Sequence, residues 1–435
     1  MDFVPTDIYN IIFDLFNLKT QINFVSSHRT FRNILSIKHL TNCKNNDILN
    51  QSIFSNITSL DASNSTINDL RNVPNLKILF APSRSSINDD SIRLIYYLNV
   101  ITLSDIITKN FDNINIIPIV NLITAPAKIQ PYIISEKIDF SDTIIYYTTR
   151  DTNANDIYLS SKHKMLLKNN LVLNLTELHI SGNSSITDVS FMTNLKVLDA
   201  SGICGIKQEG MMALNLTELN VAGNSSITDV SFMTNLRVLN ASHDCGIQQK
   251  GIMGLNLTKL IIRNNEYIRD LSFMTNLKVL NASDNYNITQ KGITGLNLIE
   301  LIINYNSYIT DLSFMTNLKK LHCVSCKNIK QNSISKLNLT ELNTNNQNIN
   351  DISHMNNLKV LYARGRNCGI DQDSISGLNL ICLYISFNKY IYDVSHMSKL
   401  KILNISGESA VTQKGILGLN LLKLDTVGNI NFDNI

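Results

Sequence analysis

Asn-Leu recurs on a fixed ruler in this chain. Asn174, Asn215, Asn256, Asn297, Asn338, Asn379 and Asn420 each open an Asn-Leu-x-x-Leu stretch, and each follows the last by 41 residues. A period of that size implies a stacked array, in which every unit buries its apolar side only against its neighbours. Each period holds two similar halves, one opening at Asn174 and the next at Asn194. The structural unit is therefore about 20 or 21 residues, alternating between two types. Arrays of this kind offer a long recognition surface and seldom a catalytic pocket.

Leu-x-x-Leu-x-(Ile/Ala) reads as a short strand whose alternate side chains enter one core. Leu175, Leu178 and Ile180 fill that core in one unit, and Leu195, Leu198 and Ala200 in the next. Parallel stacking pairs each strand's backbone with the units on either side. Asn183 then turns the chain, its side chain placed to hydrogen-bond local backbone. The third, fifth and seventh positions of each strand face outward, on the expected concave side.

This pattern resembles the leucine-rich repeat family, most closely over residues 174–435. The second halves, with Cys204-Gly205-Ile206 and Cys245-Gly246-Ile247, are similar to the cysteine-containing subtype found in F-box proteins. The first halves, with Ile186-Thr187-Asp188-Val189, look more like repeats of the bacterial internalin type. Ile57 to Ala81 reproduces the same order, so the array is expected to start near residue 56, with a linker and the first repeats over residues 41–97. Between about residues 98 and 173 the pattern decays, into either degenerate repeats or an inserted loop.

Bulk composition narrows the function classes. The chain has 435 residues and a formal net charge of +3, from 38 basic and 35 acidic side chains. Near balance gives no general pull toward nucleic acid or an anionic membrane. The wealth of Asn and Ile reads as codon bias from an AT-rich genome. No basic segment precedes an apolar run at the N-terminus, and no apolar stretch approaches the ~20 residues of a spanning helix. Seven cysteines, an odd number without framework spacing, point to a reduced, cytoplasmic setting. Sequons such as the one at Asn174 are fixed by the repeat and are not read as glycosylation sites.

Residues 1–40 do not follow the repeat. Pro5, Thr6 and Asp7 launch a helix with Ile8, Ile11, Ile12, Leu15 and Phe16 at helical spacing. Two further amphipathic stretches follow, over residues 17–25 and 26–35. The succession Val4-Pro5-Thr6-Asp7-Ile8, Ile12-Phe13, Leu15-Phe16, Ile22, Val25-Ser26 and Phe31-Arg32 resembles an F-box. Val4 stands where that family has Leu, and Phe31 where Trp is commoner; both keep apolar volume. Together with the Asn/Ile bias, the order F-box then repeats resembles proteins encoded by large DNA viruses of amoebae, whose setting would be the host cytoplasm. The resemblance implies an adaptor: a Skp-family subunit of a cullin ubiquitin ligase docks on the F-box, and the repeats hold an unknown target protein. By analogy, Pro5, Ile8, Ile12, Phe13, Leu15, Ile22 and Val25 form or support the Skp face. The alternative is a repeat scaffold with no ligase link.

On the expected concave face, Arg263, His322, Tyr362, Arg364 and Tyr384 stand out as anchor types and form the expected target patch. The column Lys196, Arg237, Lys278, Lys319, Lys359 and Lys401 is either a solvated edge or an attractor of an acidic partner. Cys323-x-x-Cys326 has redox or zinc spacing, but Cys323 fills the slot of Ala200, Ala241 and Ala282 and is read as core. Columns of Asp (188, 229, 270, 311, 351, 393) and Gln (208, 249, 290, 331, 372, 413) are read as structural. No phosphate loop, nucleophile elbow or zinc-protease motif occurs, so neither a catalytic residue nor a cofactor or metal ligand is expected. The fold class expected is α/β: a solenoid of short parallel strands, with a small all-helical F-box-like module in front.

Overall fold

The computed structural model describes residues 39–40, 57–70, 73, 75–92, 130–132, 136–140, 143–147, 156–157 and 175–432. The expected helical module, with Pro5, Ile8, Ile12, Phe13, Leu15, Ile22 and Val25, lies outside them, as does most of residues 98–173. The chain divides into two compact units, Met1–Leu216 and Thr217–Ile435.

In the first unit β1 (His39–Leu40), β2 (Ser59–Asp61) and β3 (Ile78–Phe80) pair in parallel in chain order. The ladder is thus under way at His39, earlier than residue 56. Off this ladder, β4 (Gln130–Tyr132) pairs with β7 (Asp156–Ile157) in parallel, and β5 (Glu136–Phe140) with β6 (Thr143–Tyr147) antiparallel. β3 pairs directly with β8 (Glu177–His179), which pairs with β9 (Val197–Asp199).

The second unit carries β10 (Glu218–Asn220), β11 (Val238–Asn240), β12 (Lys259–Ile261), β13 (Val279–Asn281), β14 (Glu300–Ile302), β15 (Lys320–His322), β16 (Glu341–Asn343), β17 (Val360–Tyr362), β18 (Cys382–Tyr384), β19 (Ile402–Asn404) and β20 (Lys423–Asp425). Each pairs with the next in parallel and in register, Leu opposite Leu. The fold is a leucine-rich-repeat solenoid of short parallel strands.

Period-two alternation explains the strands. In β14 Leu301 is fully buried while Glu300 and Ile302 are half-buried on the open face. Leu321, Leu342, Leu361 and Leu383 are fully buried in the same way. Each such leucine adds about 2 kcal/mol of burial, an upper estimate because unfolded chains are partly collapsed. At the last rung the equivalent Leu424 is 41% exposed.

Three side-chain columns satisfy the backbone where the ladder ends. Asn306 is buried; its Nδ2 donates to the carbonyls of Asn285 and Ile288, and its Oδ1 accepts from the N–H groups of Tyr308 and Ile309. Asn183, Asn346 and Asn388 make the same kind of bridge in their own rungs. Gln290 works on the opposite side: Nε2 donates to the Asp311 carbonyl and Oε1 accepts from the Thr310 and Asp311 N–H groups. Gln249, Gln331 and Gln372 repeat that clamp. The aspartates close Asp-x-Ser turns; Asp270 Oδ1 accepts from Ser272 N at 2.9 Å and Oγ at 2.7 Å. The Asp and Gln columns are structural, as their sequence positions imply.

Those serine hydrogen bonds hold Asp270, Asp351 and Asp393 below the usual carboxylate range. A carboxylate whose native pKa is depressed contributes stability above its unfolded pKa and loses it as pH falls through the native one. Acidification therefore loosens these turns.

His354 and His396 occupy the slot filled by Phe191 in an earlier repeat. His396 Nε2 lies 3.2 Å from the Ile375 carbonyl, whereas His354 Nε2 is buried without a partner among the described residues. Replacing His354 by Phe removes that cost and is expected to stabilise the protein by about 1 kcal/mol in denaturant melts. Asn306→Ala, which orphans buried backbone groups, is expected to cost about 3 kcal/mol in the same experiment.

Candidate protein-interaction face

The strand period that buries one leucine per rung pushes the residues beside it onto the open face. Parallel register stacks the fifth positions: His322 beside Asn343, Asn343 beside Tyr362, Tyr362 beside Tyr384. The Tyr362 and Tyr384 rings stack at 4.4 Å with planes 7° apart. His322 meets Tyr362 edge-on at 6.3 Å. Arg364, two residues beyond β17, lays its guanidinium 5.2 Å from the Tyr362 ring centre and 5.1 Å from that of Tyr384. Four of the five expected patch residues thus form one cluster. Arg263 does not join it; it lies on the rung of β12, 3.4 Å from the Asp284 carboxylate.

Glu341 organises the electrostatics. Its Oε1 lies 2.9 Å from His322 Nε2 and its Oε2 3.8 Å from Lys320 Nζ. Lys320 also lies 3.9 Å from Glu300. Burial, then the neighbouring Tyr384 and Glu341, raise the Tyr362 phenol above its ordinary value, and Arg364 opposes the rise. Glu341 and Lys320 were visible in the sequence only as members of an outward row; their meeting with His322 needs the register.

A second contact on the open face escaped sequence reasoning. In the first unit Phe80 stacks on His179 at 4.3 Å, planes 6° apart. The two are nearly a hundred positions apart in sequence, and only the direct pairing of β3 with β8 brings them together. Elsewhere, aromatics occupy a turn position that other rungs give to glycine. Tyr305 and Phe387 have φ of 62° and 59°, in the left-handed region that disfavours bulky side chains. Phe387 lies across Gly407, where an added Cβ would stand 2.4 Å from the ring.

The basic column is at least partly structural. Arg237 Nη1 donates to the Thr234 and Leu236 carbonyls, and Lys401 Nζ to that of Asn420. The thiols are poor nucleophiles. Burial pushes Cys204, Cys245 and Cys368 up to about 11 and Cys326 to about 12, and Cys323 higher still. Cys323 is core, as its slot implies, and Cys326 takes an asparagine's place, its Sγ 2.9 Å from the Ile303 carbonyl. Among the described residues no group of three or more His, Cys, Asp or Glu is placed to hold a metal ion, and no helix is long and apolar enough to cross a membrane.

No protein-family model matches the chain, and no curated protein matches it. Solved structures do. An internalin, InlF, from Listeria monocytogenes is 18% identical, with 86% of this chain and 81% of that one covered at a TM-score of 0.36. The functional domain of Listeria monocytogenes InlJ, described as including a cysteine ladder, is 20% identical over 55% of this chain and 64% of its own, TM-score 0.31. TLR13, in a complex with ssRNA13, is 16% identical over 91% and 66%, TM-score 0.34.

Two outcomes follow for the cluster and the thiols. Replacing Tyr362 by Phe is expected to remove a phenol that ionises later than ordinary tyrosine in ultraviolet pH titration. Because its native pKa is raised, its contribution to stability is whole below the ordinary phenol range and is lost as pH rises through the native value. In alkylation at pH 8, Cys382, half-buried on β18, is expected to label before Cys323 and Cys326, which should react only on unfolding.

Proposed function

We propose that the chain is a protein-binding adaptor whose repeats hold a target on the open face of the second unit. The observation that carries this reading is the cluster of His322, Tyr362, Arg364 and Tyr384. Tyrosine and arginine are the side chains that most often anchor protein interfaces. Here they are held on a frame whose core leucines fix their spacing, so little ordering entropy is lost on binding. Arg263, apart from the cluster, is a second contact on the same face. Heightened thiol pKa values favour binding over nucleophilic chemistry.

The finer reading attaches this surface to a ubiquitin ligase. It rests on the F-box-like order of residues 1–40: Pro5, Ile8, Ile12, Phe13, Leu15, Ile22 and Val25 would dock a Skp-family subunit, itself bound to a cullin. The adaptor does no chemistry; it raises the effective concentration of target lysines near the ligase's charged ubiquitin carrier. A viral origin and a site of action in the host cytoplasm belong to this reading. The alternative is a repeat scaffold without a ligase.

Deletion of residues 1–40 separates the two. Co-expressed Skp-family protein is expected to co-purify with the full chain and to be lost from the truncation. Full-length protein that captures none overturns the ligase reading and leaves the binding scaffold.

A further inference from the structure

Arg364 is held in an unusual way for a surface arginine. Two stacked tyrosine rings support its guanidinium, and among the described residues it makes no hydrogen bond or ion pair. Three other arginines of the second unit spend their N–H groups within the chain, Arg237 on carbonyls, Arg263 on Asp284 and Arg366 on Glu408, while the Arg269 guanidinium has neither such a partner nor a supporting ring among the described residues. The guanidinium lies beside the ring pair, nearly equidistant from the two centres, and its N–H groups form a planar fork of donors matched to a carboxylate. The rings also fix the side chain before a partner arrives, which lowers the entropy lost on binding.

The neighbouring charges are already matched. Glu341 is taken by His322 and Lys320, and Lys320 also faces Glu300. The Arg364 fork therefore remains for a partner in a cluster whose nearest carboxylate, Glu341, already faces Lys320 and His322. A single negative charge suits one guanidinium; a dianionic phosphate would leave a second charge unmatched in a cluster that already holds Glu341.

We propose that the open face at β17 and β18 binds a peptide segment of a partner protein through an Asp or Glu side chain seated on the edge of Arg364, with the adjoining residue resting on the Tyr362–Tyr384 stack. This rests on the second unit as the target seat and is independent of attachment to a ligase.

The test is display of a random, unmodified peptide library against the full chain, with enriched peptides then measured by fluorescence anisotropy. Enriched peptides are expected to share an acidic position, and replacing that residue by Asn or Gln should weaken binding about tenfold. Arg364→Gln should weaken the same peptides about tenfold, and Arg364→Lys by a smaller factor, because a point charge replaces the fork. Arg364 is exposed, so both variants should melt like the parent. Tighter binding of a peptide carrying phosphoserine at the acidic position would overturn the assignment to a carboxylate. Failure to enrich acidic peptides, or enrichment indifferent to Arg364→Gln, would overturn the proposal while leaving Skp capture untouched.

Discussion

A buried asparagine in most turns, with cysteine or serine in its slot in the others, makes the rest of this structure possible. A chain that doubles back every twenty or so residues must leave the strand ladder repeatedly, and each departure strands carbonyl and N–H groups away from water. Asn306 answers two carbonyls and two N–H groups at once. Buried backbone groups left unpaired would each cost as much as a lost hydrogen bond. The leucine rows supply the drive to collapse, but they do not by themselves fix where the chain turns. With the turn fixed, register follows, and with register the outward side chains of neighbouring rungs meet.

The open-face cluster is a product of that register. His322, Tyr362 and Tyr384 come from three separate turns and share a face because leucine stands opposite leucine in β15 to β18. A slip of one residue in any rung would send its outward side chain into the core and its leucine into solvent. Recognition chemistry and core packing are thus coupled by the strand's period of two. Substitutions at outward positions change what is recognised at small cost to the frame, whereas the central leucines tolerate little.

Much of this was legible in the sequence because repetition states the same physics many times. The 41-residue ruler gave the solenoid, the inward leucines and the outward rows, and its Asp and Gln columns belonged to turns. The side chains expected as anchors came from those rows, and four of them meet. Legibility failed where contacts depend on details that one rung does not repeat. Phe80 and His179 meet only because the ladder skips from β3 to β8. Glu341 became the hub of the cluster through the reach of its side chain, which spacing does not convey. Cys323 is core as its slot implied, but spacing did not show that Cys326 stands in an asparagine's slot against a carbonyl. Arg263 has the right residue type on the right row, but an aspartate claims it.

Amide hydrogen exchange, resolved by residue across the rungs of β13 to β16, tests the dependence on the buried amide most directly. The Tyr308 and Ile309 amides, which lie in a turn and would exchange freely if it were solvated, should be protected as well as the amides of β14. In Asn306→Ala they should lose that protection together with the rungs on either side. Fast exchange at Tyr308 and Ile309 in the parent chain, or a variant whose strand amides stay fully protected, would contradict the view that this side chain sets the register.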